Sequence, residues 1–268
     1  MDILAIGEIL IDLTQTGTGE NGIPQFAANP GGAPANLAVA AARLGAQTAF
    51  IGKVGADGFG SYLTSVLKQN GVDASHVAVD PEDPTTIAVV SVDASGERSF
   101  SFYRKANADV KLTAGDIPDS ALQRARFVHF GSVSLTADPS RSATLDVVRR
   151  ARAMGKVITY DPNYRANLWP DAAAAVAQMK APLKLVDILK VSDEELPLLT
   201  GTTDCETGTA LLAEQGIRLV FVTLGPDGVF YRMGGQTGRV AGVPCTVGDT
   251  NGAGDTFFGA ALSKLCKE

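Results

Sequence analysis

From about residue 126 onward the sequence alternates between short apolar runs and longer amphipathic ones, and few folds accept that rhythm. FVHFGSV (127–133) reads as a strand and is followed by a helical pattern near 139–154. KVITYDPN (156–163) is followed by an Ala-rich helix near 171–180, and VDILKVS (186–192) by helices within 192–215. LVFVTLG and GVFYRM then read as strands. Repeated strand–helix alternation implies an α/β fold, a doubly wound and mostly parallel sheet with helices on both faces. The first half shares the rhythm only in part. DILAIGEILIDL (2–13) reads as one strand ending in Asp12. APANLAVAAARLG reads as a helix, with Pro34 in its first turn and Gly45 at its end. A strand over 47–54 and a helix over 57–70 follow. Residues 14–30 carry no helix period, and 85–92 and 98–104 are β-type runs joined by a hairpin signal at 93–97. These β-only stretches predict a small separate sheet, with strands within 13–30 and 85–105, covering an open edge of the site as a lid. With 268 residues, the whole chain, 1–268, is expected to be a single domain.

Composition removes several functions. The charge balance is 23 − 29 = −6, and no basic stripe is present, which excludes nucleic acid as the main partner. An anionic small molecule stays admissible, because backbone N–H groups hold phosphate without Lys or Arg. The cluster Arg149, Arg150, Arg152 and Lys156 is most simply a solvated helix face. Two histidines, His76 and His129, cannot make a three-His metal site, and no HExxH is present. Cys205, Cys245 and Cys266 form no CxxC pair, which suits a reducing cytoplasm. No apolar run reaches the roughly 18–20 residues of a membrane helix. The Met-Asp start, with Glu8 and Asp12 soon after, is unlike a signal peptide.

Two glycine-rich segments compete for a phosphate. Gly17-Thr-Gly19-Glu-Asn-Gly22 fits GxGxxG after a strand, but a dinucleotide fingerprint needs a helix opening at once. Ile23-Pro24 through Pro30 cannot be that helix, so the segment reads as a turn within the small sheet. GDTNGAGDTFFGAAL (248–262) is stronger. Gly252, Ala253 and Gly254 carry almost no side chain and lie where a helix starts, so a ligand can approach amides that the helix leaves unpaired. Asp255 stands in that first turn, with Asp249 just upstream. Alone, Asp255 would be a helix cap. With three small residues beside it, it reads as a carboxylate base next to an anion hole.

DTNGAGDTF resembles the C-terminal signature of the ribokinase-like (PfkB) carbohydrate kinases. Pro30-Gly31-Gly32-Ala33-Pro34-Ala35-Asn36 with Gly52-Lys-Val-Gly55-Ala-Asp57-Gly-Phe-Gly60 resembles their N-terminal signature. The resemblance spans the whole chain and implies a ribokinase-like α/β domain with a β-sheet lid. It implies Asp255 as the catalytic base and Gly252, Ala253 and Gly254 as the anion hole for the γ-phosphate of ATP. Asp12, Gly31, Gly32 and Asn36 match sugar-binding positions. Phe102-Tyr103-Arg104 and Asp161-Pro-Asn163-Tyr-Arg165 are similar to fructokinase segments. They imply Arg104 reaching into the sugar site from the lid, with Asn163 and Arg165 on the sugar or the transferred phosphate. On the nucleotide side fall Lys190, Glu195, Thr223, Gly225 and Gly228. Glu195 is implied to meet Mg²⁺ through water, although Ser192 replaces the Asn usual in that segment. Asp249 and Asn251 fall where part of a monovalent-cation (K⁺) site lies.

Family members continue by one or two helices past Glu268, so the expectation is a truncated C-terminal end and weak ATP binding. The resemblance implies an ATP-dependent sugar kinase making fructose 6-phosphate from fructose. The alternatives are a 2-keto-3-deoxygluconate or ribose kinase of the same fold, and a non-catalytic sugar-binding relative. Neither nucleic acid nor a membrane is expected as a partner. A homodimer through the lid is open to such a chain.

Overall fold

The computed structural model describes residues 1–92, 98–246 and 250–267. A nine-stranded sheet runs through its centre. Its strands are β1 (Ile3–Ile6), β4 (Thr48–Gly55), β5 (Asp73–Asp80), β8 (Phe127–Gly131), β9 (Val157–Asp161), β10 (Ile188–Ser192), β11 (Leu219–Thr223), β12 (Val229–Met233) and β13 (Gln236–Val240). Their order is β13-β12-β11-β10-β9-β8-β1-β4-β5. The seven from β5 to β11 pair parallel, and β12 and β13 add antiparallel at one edge. The helices are α1 (Ala33–Arg43), α2 (Gly58–Gln69), α3 (Asp119–Arg124), α4 (Ser140–Ala153), α5 (Ala172–Lys180), α6 (Glu195–Thr200), α7 (Cys205–Ala213) and α8 (Ala253–Leu265).

Because the central strands are covered on both faces, they read as continuous apolar runs. Ile3 to Ile6 are all fully buried. Phe130 stacks on Tyr160 with centroids 4.5 Å apart. His129 is part of this core, packed edge-on against Phe258, and burial pushes it down to about 3, so it is a neutral core residue.

A second sheet of four strands, in the order β3-β2-β6-β7, stands apart from the first. It consists of β2 (Leu10–Thr18), β3 (Pro24–Gly31), β6 (Ile87–Val92) and β7 (Arg98–Tyr103). The β-only stretches of the sequence do form a small separate sheet, which begins earlier than residue 13, at Leu10. The hairpin signal at 93–97 lies outside the described residues. Gly17 to Gly22 lie at the β2–β3 connection, with a short 3₁₀ turn over Glu20–Gly22 and no helix after it.

One boundary differs from the sequence reading. Residues 2–13 are not one strand. The chain leaves the main sheet at Ile6, turns at Gly7 (φ +149°) and re-enters a strand at Leu10, in the other sheet. That φ is one L side chains rarely adopt, so the break is at the glycine. Asp12 therefore belongs to the lid and does not end the first core strand. Strand β5 and helix α3 had no counterpart in the sequence reading. β5 is an edge strand with exposed and half-buried positions and no long apolar run.

Candidate active site

A cavity of about 1160 Å³ opens between the lid and the carboxyl ends of the central strands, the place where ligands of doubly wound sheets bind. Asp255 lies on its wall, in the first turn of α8, and is buried. Gly252 caps that helix in a left-handed conformation (φ +69°), which only a glycine adopts without cost. Helix geometry leaves the amides of Gly254 and Asp255 without an intrahelical acceptor, while Ala253 donates to Thr250 at 3.2 Å.

Two asparagines hold the carboxylate. Asn36, from α1, donates to Oδ2 at 2.9 Å, and Asn163 donates to Oδ1 at 2.8 Å. The first contact depends on how closely α1 and α8 pack. A Cβ at Gly259 would fall 2.7 Å from the Leu37 carbonyl oxygen, so the glycine lets α8 press onto α1. Asn163 holds a positive φ of 47° just past β9. Burial raises Asp255 above the ordinary carboxylate range; the Asn36 amide, the charges of Lys190 and Arg165, and the Asn163 amide oppose it. A carboxyl held by two amide donors is oriented, and burial makes it a better proton acceptor than an exposed Asp.

Beneath the helix start runs a buried ion pair. Lys190 of β10 meets Asp161 of β9 at 3.1 Å. A Cβ at Gly254 would lie 2.9 Å from Lys190 Nζ, so the ammonium sits directly against the small-residue turn. Burial alone would lower Lys190, but Asp161, Glu195 and Asp255 outweigh it and hold it above its ordinary value. The site thus contains a fixed positive charge next to unpaired helix amides, an arrangement suited to an anion.

Glu195 is buried beside this pair. Its Oε1 accepts from the Tyr164 amide at 2.7 Å and its Oε2 from the Ser192 amide at 2.8 Å. Each oxygen keeps lone-pair capacity for a water. Among the described residues no three His, Cys, Asp or Glu side chains converge to hold a metal ion.

The cavity brings together Asp12, Gly31, Gly32, Asn36, Asn163, Arg165, Lys190, Glu195, Thr223, Gly225, Asn251, Gly252, Ala253, Gly254 and Asp255. Arg165 is exposed, and its guanidinium donates to the Tyr164 carbonyl at 3.0 Å. Asp249 lies outside the described residues. Two expected residues do not line the cavity. Gly228 (φ +96°) turns into β12, where a Cβ would strike the Val240 carbonyl; it shapes a turn. Arg104 does not reach into the site from the lid. Its guanidinium is buried against Asp109 at 2.6 Å, Thr136 at 2.6 Å and the Val133 carbonyl at 3.2 Å. Asp109 lies only five residues along the chain, and such a pair in a low-dielectric setting outcompetes an open cavity for the cation.

One cavity residue had no signal in the sequence reading. Glu8, at the break between the two sheets, is buried on the cavity wall, and its Oε1 accepts from the Ala33 amide at 3.1 Å. Among the described residues its Oε2 has no hydrogen-bond partner, and burial raises the carboxyl to about 7.

Residues 1–268 match the family described as pfkB family carbohydrate kinase. The chain is 41% identical over 266 residues to fructokinase-2 of Solanum lycopersicum, covering 98% of this chain and 81% of that protein. It is 40% identical over 269 residues to fructokinase-1 of Zea mays, covering 99% and 83%. Among solved structures it is similar to the fructokinase of Xylella fastidiosa with bound ATP, with a TM-score of 0.92 and 33% identity, covering 100% of this chain and 82% of the other. The Vibrio cholerae O395 fructokinase in a fructose-, ADP- and calcium-bound form gives a TM-score of 0.89 and 37% identity, covering 100% and 84%.

Proposed function

Because the chain belongs to the pfkB family of carbohydrate kinases, we propose that its cavity transfers the γ-phosphate of ATP to a primary hydroxyl of fructose, giving fructose 6-phosphate and ADP. The observation that carries this reading is Asp255, a buried carboxylate oriented by Asn36 and Asn163 in the first turn of a helix whose amides face the same cavity. Relatives that are fructokinases, one of them with fructose and ADP bound, support the sugar and the nucleotide.

In this reading Asp12, Gly31, Gly32 and Asn36 hold the sugar hydroxyls between lid and core. Asp255 accepts the proton of the attacking hydroxyl as the new O–P bond forms and the bond to the ADP oxygen breaks. The Gly252–Asp255 turn and Lys190 neutralise the phosphoryl oxygens, and Arg165 approaches them from the cavity rim. Phosphoryl transfer is mostly positioning and charge stabilisation, and these groups supply both. Mg²⁺ would arrive on the ATP phosphates, with Glu195 meeting it through water, since Mg²⁺ keeps part of its water shell. Thr223 and Gly225 line the nucleotide side, and Asn251 lies where a monovalent cation would bind. Arg104 offers no open charge to a sugar acid, because Asp109 neutralises it; a neutral hexose needs none.

No helix among the described residues is long and apolar enough to cross a membrane, and the three cysteines are unpaired. A reducing, cytoplasmic setting suits them. Exposed Ile23, Phe26 and Tyr103 on the lid are where a second copy would pair.

The test is ADP release across fructose, ribose and 2-keto-3-deoxygluconate. Fructose turns over fastest, and Asp255→Asn lowers its turnover by roughly 10²–10⁴-fold while fructose binding changes by only a few fold. Turnover of the keto-deoxy acid without fructose turnover overturns the choice of sugar. Unchanged turnover in Asp255→Asn removes that residue from the base role.

A further inference from the structure

The chain passes four times between the core sheet and the lid, and buried polar contacts bind all four passages. The first, between β1 and β2, holds Glu8. The second, between β3 and α1, is Gly32, and Glu8 accepts from the Ala33 amide that follows it. The third, between β5 and β6, ends at Thr85 and Thr86, both buried. Thr85 is fixed from the core side by Asp57, which accepts its amide and its hydroxyl at 2.8 Å each. The fourth, after β7, begins at Arg104.

The third and fourth passages are joined to each other by Asp109. Its Oδ2 accepts from Arg104 at 2.6 Å and its Oδ1 from the Thr86 hydroxyl at 2.5 Å. Arg104 in turn grips the core at Thr136 and Val133, just past β8, and Val133 is itself on the cavity wall. From Thr86 the connection continues into the lid, where its carbonyl accepts the Ile11 amide at 3.0 Å. Ile11 precedes Asp12. A continuous line of hydrogen bonds therefore runs from the core segment after β8, through Arg104, Asp109 and Thr86, to the backbone that carries Asp12 over the cavity.

We infer that Arg104, Asp109 and Thr86 are positioning residues for the sugar, setting the height and register of the Asp12 strand above Asp255 without touching substrate. The inference rests on the sugar-site reading above. It assigns to Arg104 a role different from direct ligation. Each of its three nitrogens already has a protein partner, and the residue lies off the cavity wall. It also separates the two ligands: the line ends at the sugar side, whereas Lys190, Glu195 and the α8 turn have no member in it.

The test compares steady-state kinetics of wild type, Thr86→Val, Thr86→Ser and Asp109→Asn, with fructose and ATP varied separately and the Tm of each variant recorded. Thr86→Val deletes one hydroxyl at nearly constant volume, so it reads the line even if Asp109→Asn fails to fold. In Thr86→Val the KM for fructose rises at least fivefold while kcat and the KM for ATP stay within twofold. Thr86→Ser restores the wild-type KM, and Asp109→Asn, if folded, shows the larger rise. A fructose KM within twofold of wild type in Thr86→Val overturns the proposal. So does a parallel change in the ATP KM, which would mark a general loss of structure.

Hydrogen exchange of the same variants gives a readout that does not depend on which sugar is used. Amides of β2 and β6 exchange faster in Thr86→Val, and those of β8 to β11 do not. Unchanged lid exchange overturns the positioning role whatever the kinetics show. If wild type turns over none of the three sugars while lid exchange responds as stated, the sugar-kinase reading fails and the mechanical line stands.

Discussion

Two buried ion pairs, each a basic side chain on an aspartate, meet different surroundings, which give them opposite uses. Lys190–Asp161 joins two adjacent core strands at their carboxyl ends. Its ammonium lines the cavity, against the turn that opens α8, within electrostatic range of Asp255 and Glu195. Arg104–Asp109 closes the last passage between lid and core, with side chains 3% and 2% exposed. The guanidinium is used up on protein acceptors, and a planar fork that meets several acceptors at once suits a fixed joint. A lysine ammonium, with three rotatable donors, keeps capacity for a transient anion. What separates a group that does chemistry from one that holds geometry is open access to the cavity, and burial alone does not report it.

The largest effects should come from breaking each pair and then replacing it whole. Lys190→Met leaves Asp161 buried without its counter-charge, which costs about 3–5 kcal/mol of stability, and removes the charge beside the Gly252–Asp255 turn. Turnover should fall by about 10²–10³-fold, the size seen when one preorganised donor is lost from a transition-state site. Lys190→Met combined with Asp161→Leu recovers the stability, since a buried pair replaced by apolar side chains is often neutral, but it does not recover kcat. Arg104→Met with Asp109→Leu should behave differently. Stability returns, kcat at saturating fructose stays within a few fold, and the fructose KM stays raised. Urea denaturation and steady-state kinetics on the two double variants decide it. If the Arg104 double variant loses as much kcat as the Lys190 double variant, the two pairs are equivalent and the comparison is broken.

The parallel core was legible in the sequence because buried parallel strands are apolar throughout and their helices keep a regular spacing. The turn that opens α8 was legible because Gly252-Ala253-Gly254-Asp255 are contiguous. Contacts between distant segments were not legible. That Asp255 is held by Asn36 follows from the packing of α1 on α8, 219 residues apart in sequence. Arg104 shows the opposite failure. Its place in a segment similar to fructokinases implied a ligand, and nothing in the residues marked Asp109 as its partner. Only the fold brings Thr136 and Val133 to the same guanidinium. Glu8 was read through as part of a strand, because a glutamate between apolar residues carries no mark of the sheet change at Gly7.

Glu8 gives an expected effect on stability alone, and it tests whether the lid passages are electrically tuned. Its neighbours there are the Ala33 amide at the start of α1, Arg104 and Asp109. Burial is the dominant influence and raises it from 4.5 to about 7. The folded protein therefore binds the Glu8 proton more tightly than the unfolded chain does. Below pH 4.5 the group is protonated in both states and contributes nothing. Between pH 4.5 and about 7 the unfolded chain ionises first, and folding loses up to about 3 kcal/mol, a loss that is complete above pH 7. Glu8→Gln keeps an oxygen for the Ala33 amide and cannot ionise. Urea titrations should find it equal to wild type near pH 4 and more stable at pH 8 by about 3 kcal/mol. If the variant is instead less stable at pH 8, the Arg104 charge holds an ionised Glu8 more strongly than burial opposes it. The first passage would then carry a third partner of the Arg104–Asp109 pair, and the contrast with Lys190–Asp161 would be sharper still.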